Sequence, residues 1–485
     1  MFRRKVYDSL QRWATRRGQT ALLVTGARQI GKSYLVERLG REKYQRLLTV
    51  NLYLDKAAKR SLAEASNVAD LITRLSLMAD QPLVPGETLI FIDEIQELPD
   101  LMTMVKGLVQ DGRFSYAFSG SMLGTELKHV RSYPVGFVTE VTMFPMDFEE
   151  FCWAMGVQNE ALSVVRDCCT SLQAVPGYLH EALLGYFRSY MVVGGMPAAV
   201  QAFLDNAGNM GPVREVQAEL VVSYVHDITK YAGTAAPTVR AIFEQLPLQL
   251  DARSQRFQLN SLGTDARYSK FSFDFNWLVS AHVGLKCNVV RDPKRPLKAM
   301  EDAGNFKLYE SDTGMLASRY DISVARGLYS DDRTLNLGFM FENVFAQALT
   351  ACGCDLFYYM NRKRGEVDFL VENARGDVVP LEIKSGRTPR AHEALNKLLA
   401  TPEYGIEKGY VLSRLNVEQR DRVVYLPWYV TACLPEALGL RKRSDEEDSF
   451  SITLPSLSAP TRENSSGVVR GFSLSPLTPE NVPLE

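Results

Sequence analysis

Short apolar runs alternate with stretches of helical spacing over the first 120 residues. Four runs have the length of buried strands, at 21–24, 47–54, 88–92 and 114–118. Apolar residues recur at three- and four-residue intervals over 6–16, 34–39 and 62–78, which predicts helices there. Strands that alternate with helices are typical of an α/β domain with a parallel sheet.

The pattern in the middle of the chain predicts more helices. Aromatic and aliphatic residues from 148 to 203 fall at helical spacing, with one interruption at 193–197, Val-Gly-Gly-Met-Pro. Glycine allows φ values that other residues avoid, and proline fixes φ, so this run predicts a sharp corner between two helices. We therefore assign it a structural role.

Two short apolar runs between 286 and 308 flank a segment rich in charge and proline. This pattern predicts a β-hairpin whose tip carries the basic residues Arg291, Lys294, Arg295 and Lys298. Such a tip is either a DNA-binding wing, as in a winged helix, or an ordinary solvated loop. The sequence shows no base-reading helix, so the solvated loop is the favoured interpretation.

Beyond the hairpin, the pattern predicts a helix over 339–350, with Glu342 off its apolar stripe and near its start. Two strands follow, at 366–371 and 378–384, and the short glycine-containing turn between them predicts a second hairpin. After residue 440 a charge run gives way to Ser, Pro and Thr. Such a segment cannot bury enough apolar surface to offset its ordering entropy, which predicts a disordered tail over 441–485.

The loop after the first strand carries the strongest chemical signal. It contains, in order, Gly26, Ala27, Arg28, Gln29, Ile30, Gly31, Lys32, Ser33 and Tyr34. The first eight fit GxxxxGK[ST], with a strand before and a helix after. Glycines let backbone N–H groups turn toward phosphate oxygens, and the helix N-terminus adds partial positive charge. We predict that these nine residues bind a nucleotide, with Lys32 on the β- and γ-phosphates and Ser33 on Mg²⁺.

Two carboxylates end the third predicted strand. In a parallel sheet they lie at the same edge as the phosphate loop. We expect Asp93 to orient Mg²⁺ and Glu94 to polarise the water that attacks the γ-phosphate. The alternative is that the pair solvates the strand end or caps the next helix. The next strand ends at Ser119-Gly120-Ser121. The hydroxyl of Ser119, or else that of Ser121, either senses the γ-phosphate or belongs to an ordinary turn residue.

Composition limits the classes of protein to which this chain can belong. The 485 residues are 46% hydrophobic and 23% charged, as in ordinary globular proteins of about three domains. The net charge is −2, so any contact with DNA or RNA must rest on a local patch. Seven scattered cysteines predict reduced thiols. No apolar run approaches the roughly 18 residues of a membrane span, so we expect a soluble, cytoplasmic protein without membrane contact.

The segments GARQIGKS, VNL, IFIDEIQ, FSGS and FPMDFEEF together resemble the AAA-type P-loop ATPases of bacteria and archaea that carry a C-terminal nuclease-like domain. The resemblance continues to about residue 440 and implies ATP and Mg²⁺ as ligands and ATP hydrolysis as the activity. In that family a Gly-Arg pair usually follows the serine-rich segment, whereas this chain has Val135-Gly136-Phe137. The arginine expected there is absent, and the sequence does not choose between Arg113 and Arg131 as substitutes.

The resemblance also implies a restriction-endonuclease-like fold near the C-terminus. Side chains alternate along a strand, so Glu382 and Lys384 share one face, and Asp368 can lie across from them. In such a fold Asp368 and Glu382 would ligate Mg²⁺, Lys384 would position or deprotonate water, and Glu342 would add a further acid. The alternative is a hairpin that bears a salt bridge, and a fold of this kind can persist without chemistry.

Together these patterns predict five parts. They are an AAA-type P-loop ATPase domain at 1–150, a helical linker at 151–215, a winged-helix-like region at 216–320, a nuclease-like domain at 321–440 and the tail at 441–485. The predicted function is Mg²⁺-dependent ATP hydrolysis whose nucleotide state controls the nuclease-like domain. A nucleotide-gated switch with an inactive docking domain and a DNA-dependent translocating ATPase are the alternatives. The expected partners are ATP and either DNA or RNA, a second copy or another protein.

Overall fold

The computed structural model describes residues 2–16, 18–121, 134–252, 255–263, 267–332, 334–335, 337–386 and 388–441. Arg131 and all but the first residue of the predicted tail lie outside these residues. The described residues belong to one compact unit, 1–444.

The first sheet is parallel throughout and has five strands. They are β1 (Ala21–Thr25), β2 (Arg46–Asn51), β3 (Thr88–Asp93), β4 (Ser115–Gly120) and β5 (Val138–Thr142). Their order is β2-β3-β4-β1-β5. β1, β3 and β4 are buried along their whole length, which is why they appear in the sequence as continuous apolar runs. The parallel α/β sheet predicted from the sequence is confirmed.

Helices surround this sheet and continue into the middle of the chain. The first six are α1 (Val6–Thr15), α2 (Lys32–Lys43), α3 (Lys56–Ala63), α4 (Val68–Leu77), α5 (Val105–Asp111) and α6 (Phe148–Ala154). The next six are α7 (Asn159–Ser171), α8 (Gly177–Val193), α9 (Pro197–Asp205), α10 (Met210–Tyr231), α11 (Ala236–Asp251) and α12 (Tyr268–Ser280). The single helix predicted over 62–78 is wrong. The Asn67 side chain accepts a hydrogen bond from the Asp70 N–H and starts α4 as a separate helix.

The second sheet is mixed and has eight strands. They are β6 (Gly284–Val290), β7 (Glu301–Glu310), β8 (Phe357–Asn361), β9 (Gly365–Glu372), β10 (Val378–Ile383), β11 (Gly409–Ser413), β12 (Glu418–Arg420) and β13 (Val423–Pro427). Their order is β12-β13-β11-β10-β9-β8-β6-β7. The remaining helices are α13 (Thr313–Ser318), α14 (Ile322–Ser330), α15 (Gly338–Ala351), α16 (Glu393–Leu399) and α17 (Leu434–Leu438).

Both predicted hairpins are confirmed, because β6 pairs antiparallel with β7 and β9 with β10. The first hairpin does not project as a free wing, since β6 also pairs in parallel with β8. The sheet therefore crosses the domain boundary drawn at residue 320, and the five-part division stays a prediction. Glu342 was expected off the apolar stripe of its helix, but α15 is buried nearly all round and Glu342 is buried with it.

The Gly-Gly-Met-Pro corner packs against a buried aspartate. Gly194 has φ 77° and joins α8 to α9 with Gly195. A Cβ on Gly195 would lie 2.0 Å from the Met146 carbonyl oxygen, so a larger residue cannot occupy this position. The Gly195 N–H donates to the Asp312 carboxylate at 2.6 Å, which ties the corner to the start of α13.

Two expectations from composition can be checked in the described residues. All seven cysteines are free. Among the helices that the structure describes, none is long and apolar enough to cross a membrane.

Candidate functional site

The loop between β1 and α2, residues 26–33, is hereafter called the phosphate loop. Its backbone turns through positive φ at Gly26 (131°), Gln29 (63°) and Gly31 (92°). A Cβ on Gly26 would lie 2.2 Å from the Met143 carbonyl oxygen, so only glycine fits there. Gly31 is the residue that precedes α2, which leaves the N-terminus of the helix open to an anion.

Lys32 is folded back onto the phosphate loop. Its Nζ donates to the carbonyl oxygens of Gly26 at 3.0 Å and Ala27 at 2.7 Å. Burial lowers the pKa of Lys32 to about 8, against the opposing effect of Glu94 and Asp93. A buried ammonium held only by neutral carbonyls can exchange them for phosphate oxygens. Tyr34 follows in the first turn of α2, with its side chain exposed.

Asp93 gathers polar groups from three neighbouring elements. One carboxylate oxygen accepts from Ser33 Oγ at 3.0 Å and also from Ser119 Oγ. The other accepts from Asn51 Nδ2 at 2.8 Å. Asn51, Asp93 and Ser119 stand at or next to the C-terminal ends of β2, β3 and β4, so the parallel sheet brings them together.

This cluster combines hydroxyl and carboxylate oxygens, the donors that Mg²⁺ prefers. Ser33 and Asp93, both predicted as metal-holding residues, are in direct contact, so the donor set fits the ion. Asn51 was missed as a site residue, and its signal in the sequence was that it is a polar residue inside the second apolar run, 47–54. Ser119, predicted as a γ-phosphate sensor, donates to Asp93, and its sensor role stays a prediction.

Glu94 follows directly after β3 and has a left-handed backbone, with φ 58°. Its carboxylate accepts a hydrogen bond from Gln96 Nε2. The same Nε2 lies 3.4 Å from Ser121 Oγ. Gln96 is buried, and its Oε1 has no hydrogen-bond partner among the residues that the structure describes. Sequence reasoning missed Gln96, which positions Glu94 through a bond between side chains two residues apart.

Helix α10 covers one side of the phosphate loop. The Tyr224 hydroxyl donates to the Arg28 carbonyl oxygen at 3.1 Å, and Arg28 forms an ion pair with Asp227. Gln29 Nε2 lies 3.5 Å from Ser223 Oγ. The helix therefore contacts the loop at two consecutive residues, although α10 and the loop are almost 200 positions apart in the chain.

The end of α10 also reaches the segment after Glu94. Glu97 forms an ion pair with Lys59 at 2.7 Å and another with Lys230. The Tyr231 hydroxyl donates to the same carboxylate at 2.7 Å. Burial would raise the pKa of Glu97, but the hydrogen bonds from Lys230, Lys59 and Tyr231 outweigh it and lower the pKa to about 2. Glu97 is thus an anion that joins α10 to the sheet edge.

The other side of the loop is held from the N-terminus. Arg4 donates to the Ile30 carbonyl oxygen at 2.9 Å and to the Phe144 carbonyl oxygen at 2.6 Å. Its Nε forms an ion pair with Glu150 at 3.0 Å, and both side chains are buried. The phosphate loop is therefore fixed from the N-terminal segment as well as from α10.

The four residues predicted for the nuclease-like site lie on α15, β9 and β10, or next to them. Lys384 Nζ pairs with Glu382 at 2.7 Å, and Asp368 accepts from the Ile383 N–H at 2.6 Å. Burial raises the pKa of Asp368 well above its usual value, and the charges of Glu382 and Glu342 raise it further. These carboxylates lie in one cluster, in which Glu342 and Glu382 are buried and Asp368 is half-buried.

A lysine that sequence reasoning missed lies inside this cluster. Lys307, on β7, is fully buried and pairs with Glu342 at 3.0 Å and Glu366 at 2.7 Å. The Tyr309 hydroxyl donates to Glu342 at 2.9 Å. In the described part of the chain, no group of three or more His, Cys, Asp or Glu side chains has an arrangement that could hold a metal ion. The internal ammonium of Lys307 offsets part of the carboxylate charge in this cluster, and metal binding by Asp368 and Glu382 stays a prediction.

The four basic residues at the tip of the first hairpin form ion pairs with nearby acidic residues. Each of its four cations has an acidic partner: Arg291 with Asp302 at 3.0 Å, Lys294 with Asp292 at 2.8 Å, Arg295 with Asp377, and Lys298 with Glu301 at 3.5 Å. The choice between a DNA-binding wing and a solvated loop stays a prediction.

Of the two arginines considered as substitutes for the missing finger, Arg113 is paired with Asp111 at 2.9 Å. Arg131 lies outside the described residues.

Three protein-family models match separate segments of the chain. An AAA domain model matches residues 18–152, which include the phosphate loop, Asp93 and Glu94. Two models, each described only as a domain of unknown function, match 184–325 and 337–429. No curated protein matches the chain. The N-terminal part is therefore an AAA-type P-loop domain, on the family match and on its sheet topology.

Three solved structures illustrate the similarity of the chain to known folds. The RuvB Holliday junction branch migration motor of Thermotoga maritima is 13% identical, with a TM-score of 0.27 over 60% of this chain and 88% of that one. Cdc6p of Pyrobaculum aerophilum is 11% identical, with a TM-score of 0.24 over 68% of this chain and 93% of that one. A chain of Drosophila ORC bound to AT-rich DNA and Cdc6 is 11% identical, with a TM-score of 0.21 over 41% and 91%. Similarity at this level does not decide function.

Proposed function

We propose that the chain binds ATP at the phosphate loop, hydrolyses it with Mg²⁺, and uses its nucleotide state to control the C-terminal region. The observation that carries the proposal is the contact of Ser33 with Asp93 at the mouth of a complete phosphate loop. A hydroxyl and a carboxylate in this position are the protein ligands of Mg²⁺ in P-loop NTPases.

The protein groups have distinct tasks in this proposal. Loop N–H groups and Lys32 bind the phosphates, and Ser33 and Asp93 hold Mg²⁺, which neutralises charge on the phosphate oxygens. Glu94 accepts the proton of the attacking water. Its carboxylate is positioned by the hydrogen bond from Gln96 Nε2.

Contacts of α10 support control of the distant region. One half of the helix touches Arg28 through Tyr224, and the other half touches the segment after α13, where Arg214 donates to the Tyr320 carbonyl oxygen at 2.8 Å. Helix α13 is in turn hydrogen-bonded to α15, because the Asn343 side chain donates to Thr313 Oγ1 at 3.0 Å. A continuous set of packed contacts can transmit a change at the phosphate loop to the carboxylate cluster.

A nucleotide-gated switch with an inactive docking domain is the second candidate function. Lys307 favours it, because its ammonium already pairs with Glu342, the further acid predicted for a nuclease, and with the neighbouring Glu366. Contact with DNA or RNA, self-association and a cytoplasmic location stay predictions from the sequence.

One assay separates these functions. ATP turnover is measured with Mg²⁺, with and without DNA or RNA, and the integrity of the nucleic acid is read from the same tubes. We expect ATP turnover, and absence of turnover would refute the ATPase proposal. Intact nucleic acid would support the switch. Degradation that Asp368→Ala abolishes would support a nuclease, and strong stimulation of ATPase by DNA would support translocation.

A further inference from the structure

A second cation of the phosphate loop stands beside the predicted phosphate site. Arg28 is the third residue of the loop, and its guanidinium lies 5.5 Å from the centre of the Tyr53 ring. Its side chain is 29% exposed. It lines a groove of about 510 Å³, together with Tyr53, Ser223, His226 and Lys230. Arg28 is thus a half-buried cation at the edge of open space, and its guanidinium has room to move.

Arg28 interacts electrostatically with Glu94 and Lys32, which are assigned to the nucleotide site. Although burial opposes the charged form, Asp227 and then Glu94 raise the pKa of Arg28. Burial lowers the pKa of Lys32, and the positive charge of Arg28 lowers it further because it repels the Lys32 ammonium. The loop cation therefore shares one electrostatic neighbourhood with Glu94 and Lys32.

The ion pair of Arg28 with Asp227 is suited to exchange. Asp227 belongs to α10 and its side chain is buried. One carboxylate oxygen meets Arg28, and the other has no hydrogen-bond partner in the part of the chain that the structure describes. A guanidinium offers five N–H donors in a planar fork, and this contact uses only a small part of that capacity.

We propose that Arg28 is an arginine finger supplied in cis, which leaves Asp227 and stabilises the charge on the γ-phosphoryl group during transfer. This inference rests on the ATP hydrolysis proposed above. Phosphoryl groups in transfer carry spread negative charge that a planar guanidinium matches.

The reaction balances without further reagents. The oxygen of water forms a bond to the γ-phosphorus, and the bond from that phosphorus to the β,γ-bridging oxygen breaks. ADP leaves with the electron pair, and the water proton passes to the carboxylate of Glu94. Arg28 forms no covalent bond in this step. Its departure from Asp227 changes a contact of α10, so hydrolysis and the position of this helix are linked.

The test uses the full chain with Arg28→Ala, Arg28→Lys and Asp227→Asn. Three quantities are measured for each variant: kcat, the Kd of a non-hydrolysable ATP analogue, and the Kd of ADP with aluminium fluoride, which mimics the transferring group. For Arg28→Ala we expect kcat to fall by about 10²–10³, below the largest effects of arginine fingers. The affinity for the ATP analogue should change little, while the aluminium fluoride complex should weaken as much as kcat falls.

The two remaining variants separate catalysis from structure. Arg28→Lys should recover part of the turnover, because it keeps the charge but not the planar fork. Asp227→Asn should keep turnover at or above the wild-type level, because it removes only the resting partner. Melting temperatures show whether each variant is folded. If Arg28→Ala does not fold, the same measurements on Arg28→Lys are used in its place.

Several outcomes would overturn the inference. Unchanged kcat in folded Arg28→Ala would do so, as would a loss confined to the affinity for the ATP analogue. Equal losses in Arg28→Ala and Asp227→Asn would show that the ion pair serves only structure. A wild-type protein that does not hydrolyse ATP refutes the proposed function as well, whereas normal hydrolysis with an unaffected Arg28→Ala refutes this inference alone.

Discussion

The guanidinium of Arg4 and the carboxylate of Glu150 form an ion pair at 3.0 Å, with both side chains buried. Arg4 also donates a hydrogen bond to the Ile30 carbonyl oxygen in the phosphate loop. Removing one residue of a buried ion pair leaves the charge of the other residue without a partner. We expect Arg4→Ala to lower the free energy of unfolding by about 3–5 kcal/mol. Chemical denaturation measures this.

The matched control for Arg4 is Arg3→Ala, which removes an exposed arginine bonded to Asn159. It should change the unfolding free energy by less than about 1 kcal/mol, as surface substitutions usually do. Equal effects of the two substitutions would contradict a special role for the Arg4–Glu150 pair.

Gln96 should matter for turnover because it holds Glu94. We expect Gln96→Leu to bind ATP normally and to lower kcat about tenfold to a hundredfold, a part of the 10²–10⁴ that a positioned acid or base contributes. The control is Gln110→Leu on α5, where the side chain is exposed. If Gln96→Leu matches this control in kcat, Gln96 does not position Glu94 for chemistry.

The affinity for ATP should depend on pH through Lys32. Phosphate binds the ammonium form, and burial lowers the pKa of Lys32 to about 8 in the free protein. Below that pH the lysine is already charged, so affinity should be flat. Above it, binding must first recover a proton, and affinity should fall by up to about tenfold per pH unit.

Titration of ATP into the protein between pH 7.5 and 9.5 checks this expectation. Arg28→Ala serves as an internal comparison, since Arg28 lowers the pKa of Lys32. In that variant the fall should begin at a higher pH. A flat affinity across the whole range in the wild type would contradict a lowered pKa at Lys32.

Lys307 should stabilise the C-terminal sheet through its pairs with Glu342 and Glu366. We expect Lys307→Met to destabilise the protein by about 3–5 kcal/mol, because two carboxylates lose their buried partner. Lys307→Met combined with Glu342→Gln should recover part of this loss. If the double variant is no more stable than the single one, charge balance is not the role of Lys307.

The sequence predicted the parallel sheet and the phosphate loop because both depend on local patterns. Buried strands such as β1 and β3 are continuous apolar runs, and the spacing of Gly26, Gly31 and Lys32 is fixed by the geometry of one turn. The break between α3 and α4 was missed because it depends on a single cap at Asn67, which the apolar spacing around it conceals.

The contacts that complete each site could not be predicted, because they join distant parts of the chain. Arg28 and Asp227 are 199 positions apart, and Lys307 and Glu342 are 35 apart on different elements. Apolar periodicity places each residue on its own strand or helix, but it does not pair one element with another. Lys307 in particular had no signal as a buried residue, since lysine is rarely buried without partners.

ATP binding and turnover by two variants test the central claim most directly. Isothermal titration with ATP is performed on Lys32→Ala and Glu94→Gln, with the exposed-site variants Lys43→Ala and Glu64→Gln as controls. The proposed ATP hydrolysis predicts that Lys32→Ala loses binding, and that Glu94→Gln binds ATP like the controls but turns it over at least a hundredfold more slowly. Unaltered affinity in Lys32→Ala, or unchanged turnover in Glu94→Gln, would contradict it.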